Sequence, residues 1–441
     1  MSSILEAGTV GSILLPPQSR KRGADLSPYA LILEQQLTTP QRQVYEAGTR
    51  YRLLCCGRRF GKTFLSITQL LVWAMRTPGG LFWYVTSTYK AAKRIAWKAL
   101  REMAPPEIVT SVNHTELSVR LINGATISLM GADAPDSLRG SSLSGCVIDE
   151  AAYVNPRVWT EVVRPSLSDQ VGPCWQITTP AGFNHFHALW EAVETDPDWS
   201  RFSFTTLEGG QVPPEEIESA KRDMDARTFR QEYLASFESM AGRVYPDFRD
   251  EHISEQCQDT GAEILLGLDF NVSVMAGVLG SLYGDTLVIW DEVALQNSNT
   301  AEVCEMLHQR FPSRRILAYP DPTGAARKTS SAGATDHGIL RQYGFTVVSP
   351  RAPWSVKDKL QATNFLIQNA QGQIRLRVHP RCKNLIKGLR GVTFKLGADE
   401  WVVDKAPGLE HWCDALGYLV LGAANHVRPH QGGGETNLAL Y

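Results

Sequence analysis

Over the first half of this chain, short apolar runs bounded by glycine, proline or polar clusters alternate with longer segments whose apolar residues recur every three or four positions. The short runs fit buried strands and the longer segments fit helices with one buried face. Strands are predicted at 53–56, 81–87, 146–149, 175–178 and 202–205, and a helix over 63–76. The runs 117–122 and 125–130 flank Asn123-Gly124, a strong hairpin signal. Strands alternating with helices predict an α/β domain with a doubly wound, mostly parallel sheet over 36–240. Its last part, 213–238, reads as helical after Pro213-Pro214, and 241–262 reads as a linker.

From 263 the rhythm changes. Runs at 264–270, 274–282 and 286–293 are joined by turns too short for a crossover helix, so they predict an antiparallel meander. A helix over 300–311 follows, then a strand over 315–321 ending in Asp321. A helix over 409–421 places His411 and Asp414 one turn apart on one face. Three strands, a helix, a fourth strand and a late helix is the order of an RNase H-like core, predicted over 263–427. Residues 1–35 mix proline, serine and basic residues and predict an arm or short flanking helix, and the glycine-rich 428–441 predicts a flexible tail.

Composition narrows the class. At 441 residues, 43% hydrophobic and 20% charged, the chain is long enough for two domains with separate cores. The net charge is only −2, so any attraction for nucleic acid must come from local patches. Two candidates are the 323–337 loop with Arg327 and Lys328, and the set Arg375, Arg377, Arg381, Lys383, Lys387 and Arg390. Such residues would contact phosphates without reading bases. No apolar stretch is long enough to span a bilayer and no signal-peptide core is expected at the N-terminus. Eight cysteines without metal-ligand spacing read as reduced, buried thiols.

Two constellations carry chemistry. The first is Cys56-Gly57-Arg58-Arg59-Phe60-Gly61-Lys62-Thr63, lying between a predicted strand and a predicted helix. A loop of this kind turns backbone N–H groups onto phosphate oxygens at a helix N-terminus. Lys62 would reach the terminal phosphates and Thr63 would ligate Mg²⁺. The usual first glycine is replaced by Cys56, so Gly57 stands one place late. The strand at 146–149 delivers Asp149 and Glu150, Asp149 to hold Mg²⁺ and Glu150 to orient and deprotonate water. The second constellation is Asp269, Asp321 and Asp414, placed where an RNase H-like core keeps its ligands. Three converging carboxylates suit two divalent cations roughly 3.5–4 Å apart, one activating water and one stabilising the leaving oxygen. A solvated residue or a cap is the plainer reading for each acid alone, least so for Asp269 between Leu268 and Phe270.

With these motifs in hand, the chain resembles the large terminase subunits of tailed bacteriophages over about 36–425. Gly57-Arg58-Arg59-Phe60-Gly61-Lys62-Thr63 is similar to the family's arginine-bearing, glycine-poor phosphate loop. Gln41 in Thr39-Pro40-Gln41 resembles its adenine-contacting glutamine, and Thr178 and Thr179 in Ile177-Thr178-Thr179-Pro180 its coupling motif. Arg139 stands where the family has a proposed arginine finger; Arg58 and Arg59 are the other two candidates for that role. Gly267-Leu268-Asp269, Tyr319-Pro320-Asp321 and Glu410-His411-Trp412-Cys413-Asp414 resemble the nuclease motifs, and 229–237 the helix that closes the motor domain. The resemblance implies a P-loop ATPase domain and a nuclease domain using ATP with Mg²⁺, and two divalent cations, Mg²⁺ or Mn²⁺. It implies packaging of double-stranded DNA into a procapsid, with cutting of concatemeric DNA at initiation and termination. Implied partners are the portal protein, a small terminase subunit and further copies in a ring, a pentamer, in the cytoplasm of an infected bacterium and absent from the mature virion. Two other classes stay open: a helicase-like or recombination ATPase with a non-catalytic RNase H-like platform, and a nucleotide-switched assembly protein.

Overall fold

The computed structural model describes residues 25–238, 242–261, 263–271, 273–326, 335–395, 401–405 and 408–423. Two compact units divide it: Met1–Thr179 with His185–Gln211, and Pro180–Asn184 with Val212–Tyr441. The predicted tail at 428–441, most of the arm, and Arg327 and Lys328 lie outside the described residues.

In the first unit, helices α1 (Ser27–Gln35) and α2 (Thr39–Glu46) precede β1 (Tyr51–Cys56), and α3 (Lys62–Arg76) leads to β2 (Leu81–Thr86). Strands β3 (Val109–Asn113), β4 (Ser118–Leu121), β5 (Thr126–Gly131), β6 (Gly145–Asp149), β7 (Cys174–Thr178) and β8 (Trp199–Phe204) follow. They form one sheet in the order β3-β4-β5-β2-β6-β7-β1-β8. All pairings from β5 to β8 are parallel, and β3, β4 and β5 turn back on one another. The Asn123-Gly124 hairpin is present, and Asn123 also donates to Ala74 and Met75 carbonyls at the end of α3, 2.8 and 3.1 Å away. Every residue of β1, β6 and β7 is buried, as strands covered on both faces require. Leu54, Leu65, Ile67, Leu70, Val147, Trp175 and Ile177 share the core, each such side chain contributing about 1.5–3 kcal/mol when fully buried. Because β7 alone separates β1 from β6, the loop after β1 and the carboxylates after β6 emerge at the same edge of the sheet.

The second unit carries β9 (Ile264–Asp269), β10 (Val274–Tyr283), β11 (Thr286–Gln296), β12 (Ile316–Pro320), β13 (Thr346–Val347) and β14 (Leu376–Val378), in the order β13-β12-β9-β10-β11-β14. β9, β10 and β11 form the expected antiparallel meander, and β12 pairs parallel with β9. The late helix runs over His411–Gly422 and lies on β9. Their approach requires Gly267, where an added Cβ would stand 2.1 Å from the Ala415 carbonyl oxygen. Helix Val356–Ile367, which the sequence reading left undefined, packs beside this late helix.

The stretch at 213–238 is two helices, Pro214–Asp223 and Ala226–Tyr233, broken at Asp225, whose carboxylate caps the second by accepting from the Thr228 N–H at 3.0 Å. Both fall with the second unit rather than with the sheet that precedes them. Gln361 Nε2 donates to Thr228 Oγ1 at 2.9 Å, and Asn369 Nδ2 to the Arg222 carbonyl at 2.9 Å.

Candidate functional site

The phosphate loop is built by two left-handed residues. Arg59 has φ 61°, a conformation uncommon for a side chain with a Cβ, and Gly61 has φ 92° as the N-cap of α3. Gln41 lies beneath, fully buried: its Oε1 accepts from the Thr38 N–H at 3.1 Å, and its Nε2 donates to the Phe60 and Gly61 carbonyls, both at 3.4 Å. Gln41 thereby braces the loop. Phe60 stacks on Phe204 with centroids 5.2 Å apart, and Thr206 Oγ1 donates to the Arg58 carbonyl at 2.7 Å. Cys56 is fully buried at the strand end, and burial pushes its thiol up to about 12.

Lys62 Nζ donates to the Cys56 carbonyl at 3.0 Å, the Gly57 carbonyl at 3.2 Å and Thr179 Oγ1 at 2.8 Å. The lysine thus joins the loop to the end of β7. Thr178, fully buried, donates to the Thr179 carbonyl at 2.8 Å and accepts from the Ala152 N–H at 3.3 Å. That bond ties the coupling threonines to the turn entered through Glu150, itself left-handed at φ 54°. Residues expected from distant motifs are therefore one connected set.

Asp149 is 2% exposed. One carboxylate oxygen accepts from the Glu150 N–H at 2.8 Å, and the other from the Tyr84 hydroxyl. Burial raises its pKa, opposed by Tyr84, the Glu150 amide and Lys62. Sequence reasoning missed Tyr84, since a tyrosine inside an apolar strand looks like core. Thr63, in the first turn of α3, and Asp149, at the end of β6, are the two expected magnesium ligands, and a hydroxyl oxygen and a carboxylate are hard donors that suit Mg²⁺. Arg58 and Arg59 are exposed on the loop. Arg139 is ion-paired with Asp136 at 2.9 Å and Glu161 at 2.8 Å.

In the second unit Asp269 ends β9, Asp321 follows β12 and Asp414 stands in the first turn of the late helix. The three sense one another: burial first, then Asp414, with Asp321 adding, pushes Asp269 up to about 6 against the pull of His411. Each acid has a protein partner. His411 Nδ1 lies 3.0 Å from Asp269 Oδ2, Lys359 Nζ donates to Asp414 Oδ1 at 2.6 Å, and Asp321 accepts from the Thr323 N–H at 2.8 Å. Lys359, 7% exposed and 4.4 Å above the Tyr418 ring, belongs to a helix absent from the sequence reading. Carboxylates of this kind suit Mg²⁺ or Mn²⁺, yet among the described residues no three His, Cys, Asp or Glu groups stand at the spacing of a formed metal site.

A parallel sheet whose strand-to-helix loop carries Lys62 and Thr63, with Asp149-Glu150 at the same edge, defines a P-loop NTPase; the second sheet, with its late helix, defines an RNase H-like unit. A family model, the N-terminal part of the terminase large subunit of T4-like-virus type, matches residues 53–249. The chain is 26% identical over 422 residues to the terminase large subunit of Escherichia phage T5, spanning 89% of this chain and 92% of that one. It is 26% identical over 429 residues to that of Thermus phage G20c, spanning 84% of each. The large terminase of the thermophilic bacteriophage D6E, solved in complex with ADP, has the same fold at a TM-score of 0.53 and 17% identity, over 89% of this chain and 98% of that one. The chain is thus similar to terminase large subunits over most of its length, and residues 53–249 match their N-terminal family model.

Proposed function

We propose that this chain hydrolyses ATP to drive double-stranded DNA into a procapsid and cuts the concatemeric DNA at the start and end of packaging. The observation that supports the motor half is the Lys62 bond to Thr179, because it links the expected phosphate ligand to the strand end whose Thr178 accepts from the Ala152 N–H beside Glu150. Lys62 and the loop N–H groups bind and orient the triphosphate. Glu150 holds and takes the proton of the attacking water, and Thr179 registers the phosphate's departure through Lys62. Thr63 and Asp149 would hold Mg²⁺, which when bound neutralises phosphate charge. Of the three arginine candidates, the loop pair Arg58 and Arg59 is favoured, because Arg139 is engaged with Asp136 and Glu161.

The cutting half is assigned to Asp269, Asp321 and Asp414, with two divalent cations as expected partners. Portal protein, small terminase subunit, a pentameric ring of copies and the cytoplasm of the infected host complete the reading. One observation favours a different role for the second unit: Asp414 is paired with Lys359 and the acids are not at metal spacing, as a non-cleaving platform would be.

Paired substitutions test both halves. Glu150→Gln should abolish ATP turnover, by about a hundredfold or more, and keep ADP binding. Asp269→Asn should stop Mn²⁺-dependent plasmid cleavage and leave ATPase unchanged. Wild-type protein that leaves supercoiled plasmid intact with Mg²⁺ and with Mn²⁺ would establish the platform instead.

A further inference from the structure

We infer that Tyr84 is a positioning residue of the nucleotide site: its hydroxyl orients the Asp149 carboxylate, so that the remaining oxygen lone pairs are presented to a divalent cation. The inference rests on the ATPase reading above. Its origin is the register of two strands. β2 pairs parallel with β6, and Tyr84 stands opposite Val147, which makes Asp149 its diagonal neighbour on the same face. A long aromatic side chain spans that diagonal, and the Tyr84 hydroxyl reaches the carboxylate of Asp149.

The direction of the bonds follows from the groups. An ionised Asp149 can only accept, so the single Tyr84 proton points to it. The other Asp149 oxygen is fixed by the Glu150 N–H at 2.8 Å, so the carboxylate cannot rotate freely. Tyr84 is fully buried, and packing alone would be served by phenylalanine. A buried hydroxyl is costly unless bonded, and here its bond goes to an expected ligand.

Tyr84→Phe in the full chain is the test, because it removes the hydroxyl and keeps the ring. Mn²⁺ binding to the protein–ADP complex is read by electron paramagnetic resonance, and binding of a fluorescent ADP in EDTA is read separately. Mn²⁺ affinity is expected to fall about tenfold, the size of one charge-assisted hydrogen bond, and half-saturating Mg²⁺ for ATPase to rise by a similar factor. ADP affinity in EDTA, thermal midpoint and kcat at saturating Mg²⁺ should stay within about twofold of wild type. Unchanged Mn²⁺ affinity overturns the inference. Equal losses of ADP affinity in EDTA and of Mn²⁺ affinity also overturn it, because they show a packing role. Wild-type protein that binds no ADP would instead overturn the ATPase reading, and this inference with it.

Discussion

Lys359 sets the charge balance of the second site. Its ammonium is nearly buried and bonded to Asp414 at 2.6 Å, so truncating it leaves a carboxylate beside Asp269 and Asp321 without its counter-charge. Lys359→Met should lower stability in EDTA by about 2 kcal/mol or more, and added Mn²⁺ should raise its unfolding midpoint more than it raises the wild type's. Differential scanning fluorimetry with and without Mn²⁺ measures both. Asp269 gives a pH dependence of defined sign. Its folded pKa of about 6 lies above that of an unfolded aspartate, so the native state holds this proton more tightly. Stability is then lost as pH rises from about 4 through about 6, by roughly 2–3 kcal/mol, as the carboxylate ionises in the fold. Asp269→Asn should flatten that slope in denaturant titrations run in EDTA, and a slope identical to wild type would contradict the assignment.

At the scale of elements, the late helix is held against β9 at the one position where a side chain is absent. Gly267→Ala would place a methyl group 2.1 Å from the Ala415 carbonyl, so the helix must move and carry Asp414 with it. A loss of about 1–3 kcal/mol is expected, with cleavage reduced and ATP turnover retained. Parallel urea titrations, plasmid nicking and phosphate-release assays check this. The same element shows what sequence periodicity leaves out. The late helix was legible because its apolar positions recur, and so was the meander that carries Asp269. Helix Val356–Ile367 was not, because its sequence VKDKLQATNFLI mixes buried and polar positions and buries Lys359, Thr363 and Asn364. Tyr84 went unremarked inside a predicted strand for the related reason that its ring belongs to the core and only its oxygen reaches Asp149.

For the molecule as a whole, a net charge of −2 means that the proposed DNA substrate would have to be held by a local surface. Helix Lys383–Gly391 offers one: Lys383, Lys387 and Arg390 are exposed at helical spacing, while Leu385 and Leu389 are buried. Replacing Lys383 and Lys387 by serine should weaken duplex binding without sequence preference and reduce the slope of log affinity against log salt by about two. Fluorescence anisotropy across a salt series measures that slope. Much of this protein was fixed by residue order alone. The two sheets, the loop around Lys62, the Asp149-Glu150 pair and the three acids were all readable, because periodicity and motif spacing are local properties of the chain. Only the fold decided that Gln41 braces the loop, that Lys62 reaches Thr179, that Tyr84 bonds Asp149 and that Lys359 sits on Asp414. Those contacts join residues from 19 to 117 positions apart through strand register and helix packing, and no local pattern encodes them.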